Sequence, residues 1–510
     1  MSNISTSSNQ VKRNLYTNII FLCCNILVGI YYTPYLVAKL GVVAYGVLPL
    51  ALVINQYITV FTSSITAALS RFLSISIQRE EYDEGSKYMS SSLLAISVLI
   101  LILAPFIYLF ISNLSSFFNI PDNLLIPAKG LFTYTIVSFF ISLLCSIFNI
   151  SQYSYNRLDL INTTRILRTF LRMALIIIFF EFIEVKIIFV GYVSLIVETI
   201  VLILSFIFFK IETRGLIKIS FSFLSKNSLY AIIGMTGWVM LHVFGDTFLY
   251  QMDVVFLNKF WGTKISGIFG AFTSFGAYVL QIVSVVSSLF GPLILVAYSK
   301  NNHIDVQKLA IHTSVVVGGL TSAIVGVLIV FSQRFIANWL SYEFAEYWLW
   351  MAIKISWVPF YASAGIYSYV YRAHNKVMIP AIFTIIIGLV NLVSVYLIYS
   401  FSNGDLKFVL LGLSCTSVLS LLQSYLFGVY WFNKIYPGNI KKIFGNSIVI
   451  LVSLACSIFI GYIFSFIQVK GLWATLILMG LGSFLSGIIV YFLIFRSEQR
   501  EIFKKIFIKK

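Results

Sequence analysis

Runs of about twenty apolar residues recur along this chain, and a run of that length suffices for one helix to cross a hydrocarbon core about 30 Å thick. Fourteen are read, at approximately 17–38, 46–69, 89–112, 129–150, 166–184, 186–209, 230–257, 265–298, 310–332, 347–370, 377–400, 406–432, 447–467 and 471–495. Inside lipid every backbone polar group must find its partner within the protein, which restricts such a chain to packed helices. The expected fold class is all-α integral membrane, with about 14 transmembrane helices.

The fifth run is the least apolar: Met173 to Phe180 is continuous, with Arg165, Arg168 and Arg172 before it and Glu181, Glu184 and Lys186 after it. Basic residues in short loops collect on the cytoplasmic side. With the N-terminus inside, most of the 35 basic residues fall there, including Lys12 and Arg13, Arg71, and the clusters Arg157 to Arg172 and Lys210 to Lys226. Those two clusters share a side only if two spans separate them, so the fifth run is expected to cross. The net charge of +17 is then a topology signal and does not imply nucleic-acid binding. All five cysteines lie inside apolar runs without metal-ligand spacing, and read as small core residues. The first run is too long for a signal-peptide core and is expected to be an uncleaved helix.

An internal repeat is visible. Leu40-Gly41-Val42-Val43-Ala44-Tyr45-Gly46 matches Trp261-Gly262-Thr263-Lys264-Ile265-Ser266-Gly267 at an offset of 221, and Tyr153 to Arg157 resembles Tyr369 to Ala373 at an offset of 216. Both lay the first six helices over the next six, and parallel repeats of this kind enclose a central site. The expected organisation is two pseudo-symmetric six-helix bundles around a central cavity, 1–228 and 229–444, followed by two additional helices and a basic tail, 445–510.

No loop is long enough for a soluble catalytic domain, and there is no GxxxxGK[ST] loop, HExxH motif or Cys/His cluster, so no enzyme, cofactor or metal is expected. Chemistry must come from charges within the apolar runs, which normally face a cavity or a partner. His242, Asp246, Tyr250 and Asp253 recur at spacings of four, four and three, on one face of a continuous helix. Asp246 reads as a buried proton or cation site, with Asp253 nearer the outer boundary. Interhelical hydrogen bonding for His242 and Asp246 and a solvated carboxylate for Asp253 are the plainer alternatives. Lys354 shares a face with Tyr347, Trp357 and Tyr361, suited either to a phosphate among sugar-stacking rings or to snorkelling past an aromatic belt. Glu198 lies with Gly191, Ser194 and Ser205 on a small-residue stripe, either a packing seam or a cavity lining. Arg71, Arg157 and Arg372 stand where helices meet the cytoplasm and anionic head groups arrive, and Arg suits bidentate phosphate contacts.

Arg13-Asn14, Tyr32-Thr33-Pro34-Tyr35-Leu36, Leu40-Gly41, Tyr45-Gly46 and Arg71 together resemble the Wzx-type O-antigen flippases. These belong to the polysaccharide transporter family of the multidrug/oligosaccharidyl-lipid/polysaccharide exporter superfamily. The resemblance implies a multi-pass inner-membrane protein of lipopolysaccharide biosynthesis, with both termini cytoplasmic. Its cargo would be an undecaprenyl-pyrophosphate-linked oligosaccharide moved to the periplasmic leaflet by alternating access. It further implies coupling to Na+ or H+ and a polysaccharide polymerase and chain-length regulator as partners. The family pattern is a strongly cationic cavity, whereas Lys354 is the one clear mid-span cation read here. A cation-coupled multidrug exporter of the same superfamily is the alternative, and a membrane glycosyltransferase or polymerase a more distant one.

Overall fold

The computed structural model describes residues 8–288, 294, 297–298, 303–374, 376–438 and 440–501. Lys300 and the basic residues beyond Glu501 lie outside them. Every regular element among the described residues is helical. In chain order these are α1 (Ser8–Leu40), α2 (Val42–Tyr45), α3 (Val47–Gln78), α4 (Tyr82–Ser112), α5 (Leu114–Phe117), α6 (Asp122–Ser154), α7 (Leu158–Phe182), α8 (Ile188–Thr213), α9 (Lys226–Tyr250) and α10 (Met252–Ser288). There follow α11 (His303–Trp339), α12 (Tyr342–Ala345), α13 (Trp348–Ser356), α14 (Val358–Ala373), α15 (Met378–Ser400), α16 (Lys407–Leu421), α17 (Phe427–Ile435), α18 (Ile440–Ser465) and α19 (Leu472–Ile489). Among the described residues ten helical stretches are long and apolar enough to cross a membrane, and the protein is a multi-pass membrane protein. The disputed fifth run is a helix of 25 residues, which at 1.5 Å per residue is about 37 Å long.

Packing divides the chain into two units: one runs to Thr247 and includes Leu257–Gly267, the other comprises Phe248–Phe256 and everything from Ile268 onward. Within the first, α6 lies along α8 and α3, and α1 along α7. The stripe Gly191, Ser194 and Ser205 forms the α8 side of this packing. A methyl group on Gly191 would come within 3.0 Å of the Leu131 carbonyl oxygen and Tyr134 Cβ. Within the second, α11 is the hub, buried along most of its length against α13, α14, α18 and α19. A helix apolar all round belongs in such a position. Between α13 and α14 the chain breaks at Trp357, because Pro359 in the first turn of α14 offers no N–H to a preceding carbonyl.

The helices of runs 230–257 and 265–298 are divided differently from the expectation. The chain breaks at Gln251, between α9 and α10, and α10 then continues to Ser288 with Gly262 as its non-helical residue. The face predicted to join His242, Asp246 and Asp253 is therefore interrupted, and Asp253 falls in the other unit.

The glycine repeat has a physical cause. Gly41 (φ 78°) and Gly262 (φ 81°) both turn the chain in the left-handed region that side chains disfavour. Five residues on, Gly46 and Gly267 pack against each other, both within the first unit. A Cβ on Gly46 would strike the Thr263 carbonyl oxygen, and one on Gly267 would lie 2.8 Å from the Val42 carbonyl oxygen and from Gly46 Cα. The offset of 221 that maps Gly46 onto Gly267 also maps Val42 onto Thr263, so the contact is reciprocal. Beside it, Asn258 is fully buried and clamps the chain at Asn119, accepting its N–H at 2.9 Å and donating to its carbonyl at 3.3 Å.

Gly267→Ala is expected to lower stability by about 1–3 kcal/mol through overpacking. Gly480→Ala, with open space around its Cβ, serves as the control and should be neutral or slightly stabilising. Unfolding midpoints of the detergent-purified variants check this. Equal midpoints would show that the glycine crossing is not tightly packed.

Candidate functional site

At the break between α9 and α10 the last turn of α9 presents its carbonyls. Two side chains from other helices of the second unit meet them. Asn391 Nδ2, from the middle of α15, donates to the carbonyls of Phe248 (3.3 Å) and Leu249 (3.2 Å). Lys354 Nζ, from the last turn of α13, donates to the Tyr250 carbonyl at 3.3 Å. The same ammonium forms an ion pair with Asp253 Oδ2 at 2.7 Å and lies 5.4 Å from the centre of the Phe269 ring. The second carboxylate oxygen, Asp253 Oδ1, is 3.2 Å from Thr416 Oγ1, and that hydroxyl is 3.1 Å from Asn391 Oδ1. The Asp253 side chain is 1% exposed and that of Lys354 12%, so this is a buried ion pair inside a polar network. Tyr250 stacks on Trp357, with centroids 5.1 Å apart, and both meet Tyr361 edge-on.

This arrangement differs from the reading of Asp246 as the buried carboxylate and excludes one of the two alternatives for Lys354. Lys354 does not snorkel; it is turned inward onto a carboxylate 101 positions away in sequence. The buried carboxylate of the 242–253 run is Asp253, not Asp246. Asp246 keeps 33% side-chain exposure and pairs with His242 of its own helix, Nδ1 to Oδ2 3.1 Å. That pairing is local, at (i, i+4), because the break at Gln251 separates it from Asp253. Asn391 and Thr416 went unread, although a buried Asn amid an apolar run was the available signal.

A second charged group lies in the first unit. Glu198 of α8 is buried, and both its oxygens face arginines of α7: Oε2 lies 2.9 Å from Arg168 Nη2, and Oε1 3.2 Å from Arg172 Nη2. Arg165, one turn away, has its guanidinium 5.6 Å from the Phe21 ring centre. These arginines were expected as topology markers at a cytoplasmic end, yet Arg172 is the fifteenth of the 25 residues of α7. Lys354 is thus not alone as a cation within the helices. One glutamate answers two guanidiniums, leaving this group net positive.

The three arginines expected to receive head groups are not brought together. Arg157 is committed to acids, with Nη1 2.7 Å from Glu212 and Nε 3.1 Å from Asp159. Arg372 is exposed and held to Ser368, its guanidinium 4.7 Å from the Tyr369 ring centre. Arg71 is exposed on α3. Asp159, 1% exposed, collects Arg13 at 2.9 Å and Gln10 at 2.8 Å as well. Asn14 accepts the Asp159 N–H and donates to the carbonyl of Asn156, whose φ of 58° marks the tight α6–α7 turn. The pair Arg13-Asn14 therefore ties α1 to that turn. Burial acts to raise the Asp159 carboxyl, but hydrogen bonds from Arg157 and Gln10 and the charges of Arg157 and Arg13 outweigh it. The carboxyl sits below its ordinary value.

No protein-family model matches the chain. It is similar to an uncharacterized membrane protein, EpsK, of Bacillus subtilis (strain 168), at 24% identity over 97% of this chain and 98% of that protein. Among solved structures it resembles the inward-facing conformation of a multidrug resistance MATE family transporter of the MOP superfamily. The TM-score is 0.67 at 13% identity, over 84% of this chain and 98% of that one. It also resembles the lipid II flippase MurJ in an inward closed conformation, with a TM-score of 0.59 at 16% identity, over 98% of this chain and 99% of that one. The chain has the fold these transporters share.

Two stability experiments test the charge assignments. Lys354→Gln or Asp253→Asn alone is expected to cost about 3–5 kcal/mol by stranding a buried charge or its partner, while the double variant recovers much of that loss. Single variants with unchanged midpoints would show that the pair is not held in the folded protein. A carboxylate depressed by folding contributes stability that is full at neutral pH and lost as pH falls through its folded value. Asp159→Asn should therefore be less stable at pH 7 and lose less stability on acidification below about pH 5, read as thermal midpoint against pH.

Proposed function

We propose that this protein is a flippase that carries an undecaprenyl-pyrophosphate-linked oligosaccharide, a surface-polysaccharide repeat unit of the O-antigen kind, from the cytoplasmic to the periplasmic leaflet of the inner membrane. It works by alternating access with both termini cytoplasmic. The observation that carries this reading is the extent of likeness. The MurJ match takes in 98% of this chain, whereas the MATE structures take in 82–85%. A multidrug exporter is the second reading, favoured by the higher TM-score of 0.67.

Such a cargo places sugars and a pyrophosphate in the protein while its polyprenyl tail stays in lipid. A dianionic group needs cations that are unmasked at the right moment. In this proposal Lys354 is the phosphate-seeking cation and Asp253 its internal counter-charge. When H+ or Na+ occupies Asp253, Lys354 is released to the pyrophosphate; when the ion leaves, Asp253 reclaims Lys354 and the cargo is let go. Arg168 and Arg172, sharing the single Glu198, supply further positive charge in the first unit. His242 and Asp246 form a second, more exposed coupling pair.

The test begins with deletion of the gene and mass analysis of polyprenyl-linked intermediates beside a surface-polysaccharide gel. Loss of polymer with build-up of complete units inaccessible from outside supports flipping, while intact polymer with altered resistance to cationic dyes supports drug export. In the complemented strain, the double variant Asp253→Asn/Lys354→Gln should be stably inserted yet restore less than about a tenth of the polymer. Full restoration would remove the pair from the transport cycle.

A further inference from the structure

The segment between α8 and α9, residues 214–225, is stitched onto α4 by serines. Ser86 Oγ accepts the Lys218 N–H at 2.9 Å, Ser90 Oγ the Ser220 N–H at 3.3 Å and Ser91 Oγ the Ser225 N–H at 3.3 Å. Ile217 is buried beneath the strap, and a short turn at Phe221–Phe223 is capped by the Ser220 hydroxyl. The strap is therefore a fixed surface. Its outward residues are unlike those of a soluble loop: Phe221 is 87% exposed, and Leu216 and Leu224 are also exposed. They alternate with Arg214, Lys218 and Lys226. Of the acids near it, Glu212 is taken by Arg157 at 2.7 Å and Glu84 by Lys87 at 2.7 Å, while Asp83 stands in the first turn of α4.

Between the strap and the end of α8 runs an open groove of about 810 Å³, lined by the rings of Phe206, Phe209 and Phe223 and by Lys210, Lys218 and Ser220. No carboxylate lines it among the described residues. Lys210 Nζ lies 4.8 Å from the Phe206 ring centre. The exposed apolar strip of α8, Ile203, Phe206, Ile207 and Ile211, leads directly into the groove. Apolar rings and two lysines lining one groove match the two halves of a lipid at the head-group boundary.

We propose that this groove binds an anionic phospholipid of the cytoplasmic leaflet. The phosphate sits between Lys210 and Lys218, the acyl chains lie along the α8 strip, and Phe221 enters the leaflet beside it. The leaflet rests on the orientation proposed above; the site itself does not depend on the transported cargo.

The purified full-length protein in detergent, titrated with phosphatidylglycerol or phosphatidylcholine and read by native mass spectrometry, tests this without any transport assay. The wild type should retain one phosphatidylglycerol in preference to phosphatidylcholine. Removing about 1 kcal/mol per lysine, a factor of about five each, the Lys210→Gln/Lys218→Gln variant should bind it roughly thirtyfold more weakly, while Lys210→Arg/Lys218→Arg retains it. Phe221→Ser, at a side chain without a packing role, should weaken association with phosphatidylglycerol-containing nanodiscs and leave the unfolding midpoint unchanged. Equal retention of the two lipids, retention of a polyprenyl phosphate alone, or undiminished binding by the double Gln variant would overturn the proposal. None of these outcomes bears on flipping, which is read separately in the deletion strain.

Discussion

A helix that stops within a membrane has no water to receive its last carbonyls, and the side chains that meet them become fixed points for everything around them. At the α9–α10 break three carbonyls of the last turn are met by side chains. Asn391 and Lys354 reach it from α15 and α13, and Thr416 of α16 joins through Asp253. The charges also suit the helix ends that carry them: Asp253 lies in the first turn of α10 and Lys354 in the last turn of α13. Each terminus favours the sign it holds. The last turn of α9, the first turn of α10, and α13, α15 and α16 are thereby connected, within one unit, through a carboxylate, an ammonium, an amide and a hydroxyl.

The two charged groups differ in a way that matters for anion handling. Lys354 and Asp253 are matched one to one and form a neutral pair at rest. Glu198 stands against two arginines, so the first unit keeps a positive excess near the middle of α7. A guanidinium remains charged at any physiological pH. A neutral pair and a standing positive charge are different instruments, and under the proposed function a pyrophosphate carrier would use both.

Helix positions were legible because a twenty-residue apolar run leaves few other choices, and the glycine pairs were legible because they repeat at one offset. The break at Gln251 was not. Neither Gly nor Pro marks it, and the side chains that meet it, Lys354 and Asn391, lie about 100 and 140 positions downstream. Arg168 and Arg172 were misplaced for the same reason: beside Arg157 and Arg165 they read as an inner-surface cluster, and only the packing of α7 on α8 shows Glu198 waiting 26 positions beyond Arg172. Burial decided between Asp246 and Asp253, and burial is a property of the neighbours. Periodicity placed both on one face of a helix that does not continue.

Opening the Lys354–Asp253 pair looks forbidding, since a lone buried ammonium costs several kcal/mol. Here that cost is reduced by groups already in place. Lys354 keeps the Tyr250 carbonyl as an acceptor and the Phe269 ring 5.4 Å away when Asp253 is neutralised, and a desolvated cation over an aromatic face is worth about 2 kcal/mol. On the other side, a protonated Asp253 can direct its new O–H toward the oxygen of Thr416, which is free to turn its own hydrogen to Asn391 Oδ1 at 3.1 Å. Each partner thus has somewhere to go. Under the proposed function, these groups are what would let a single cation open the pair instead of leaving it as a brace of the fold.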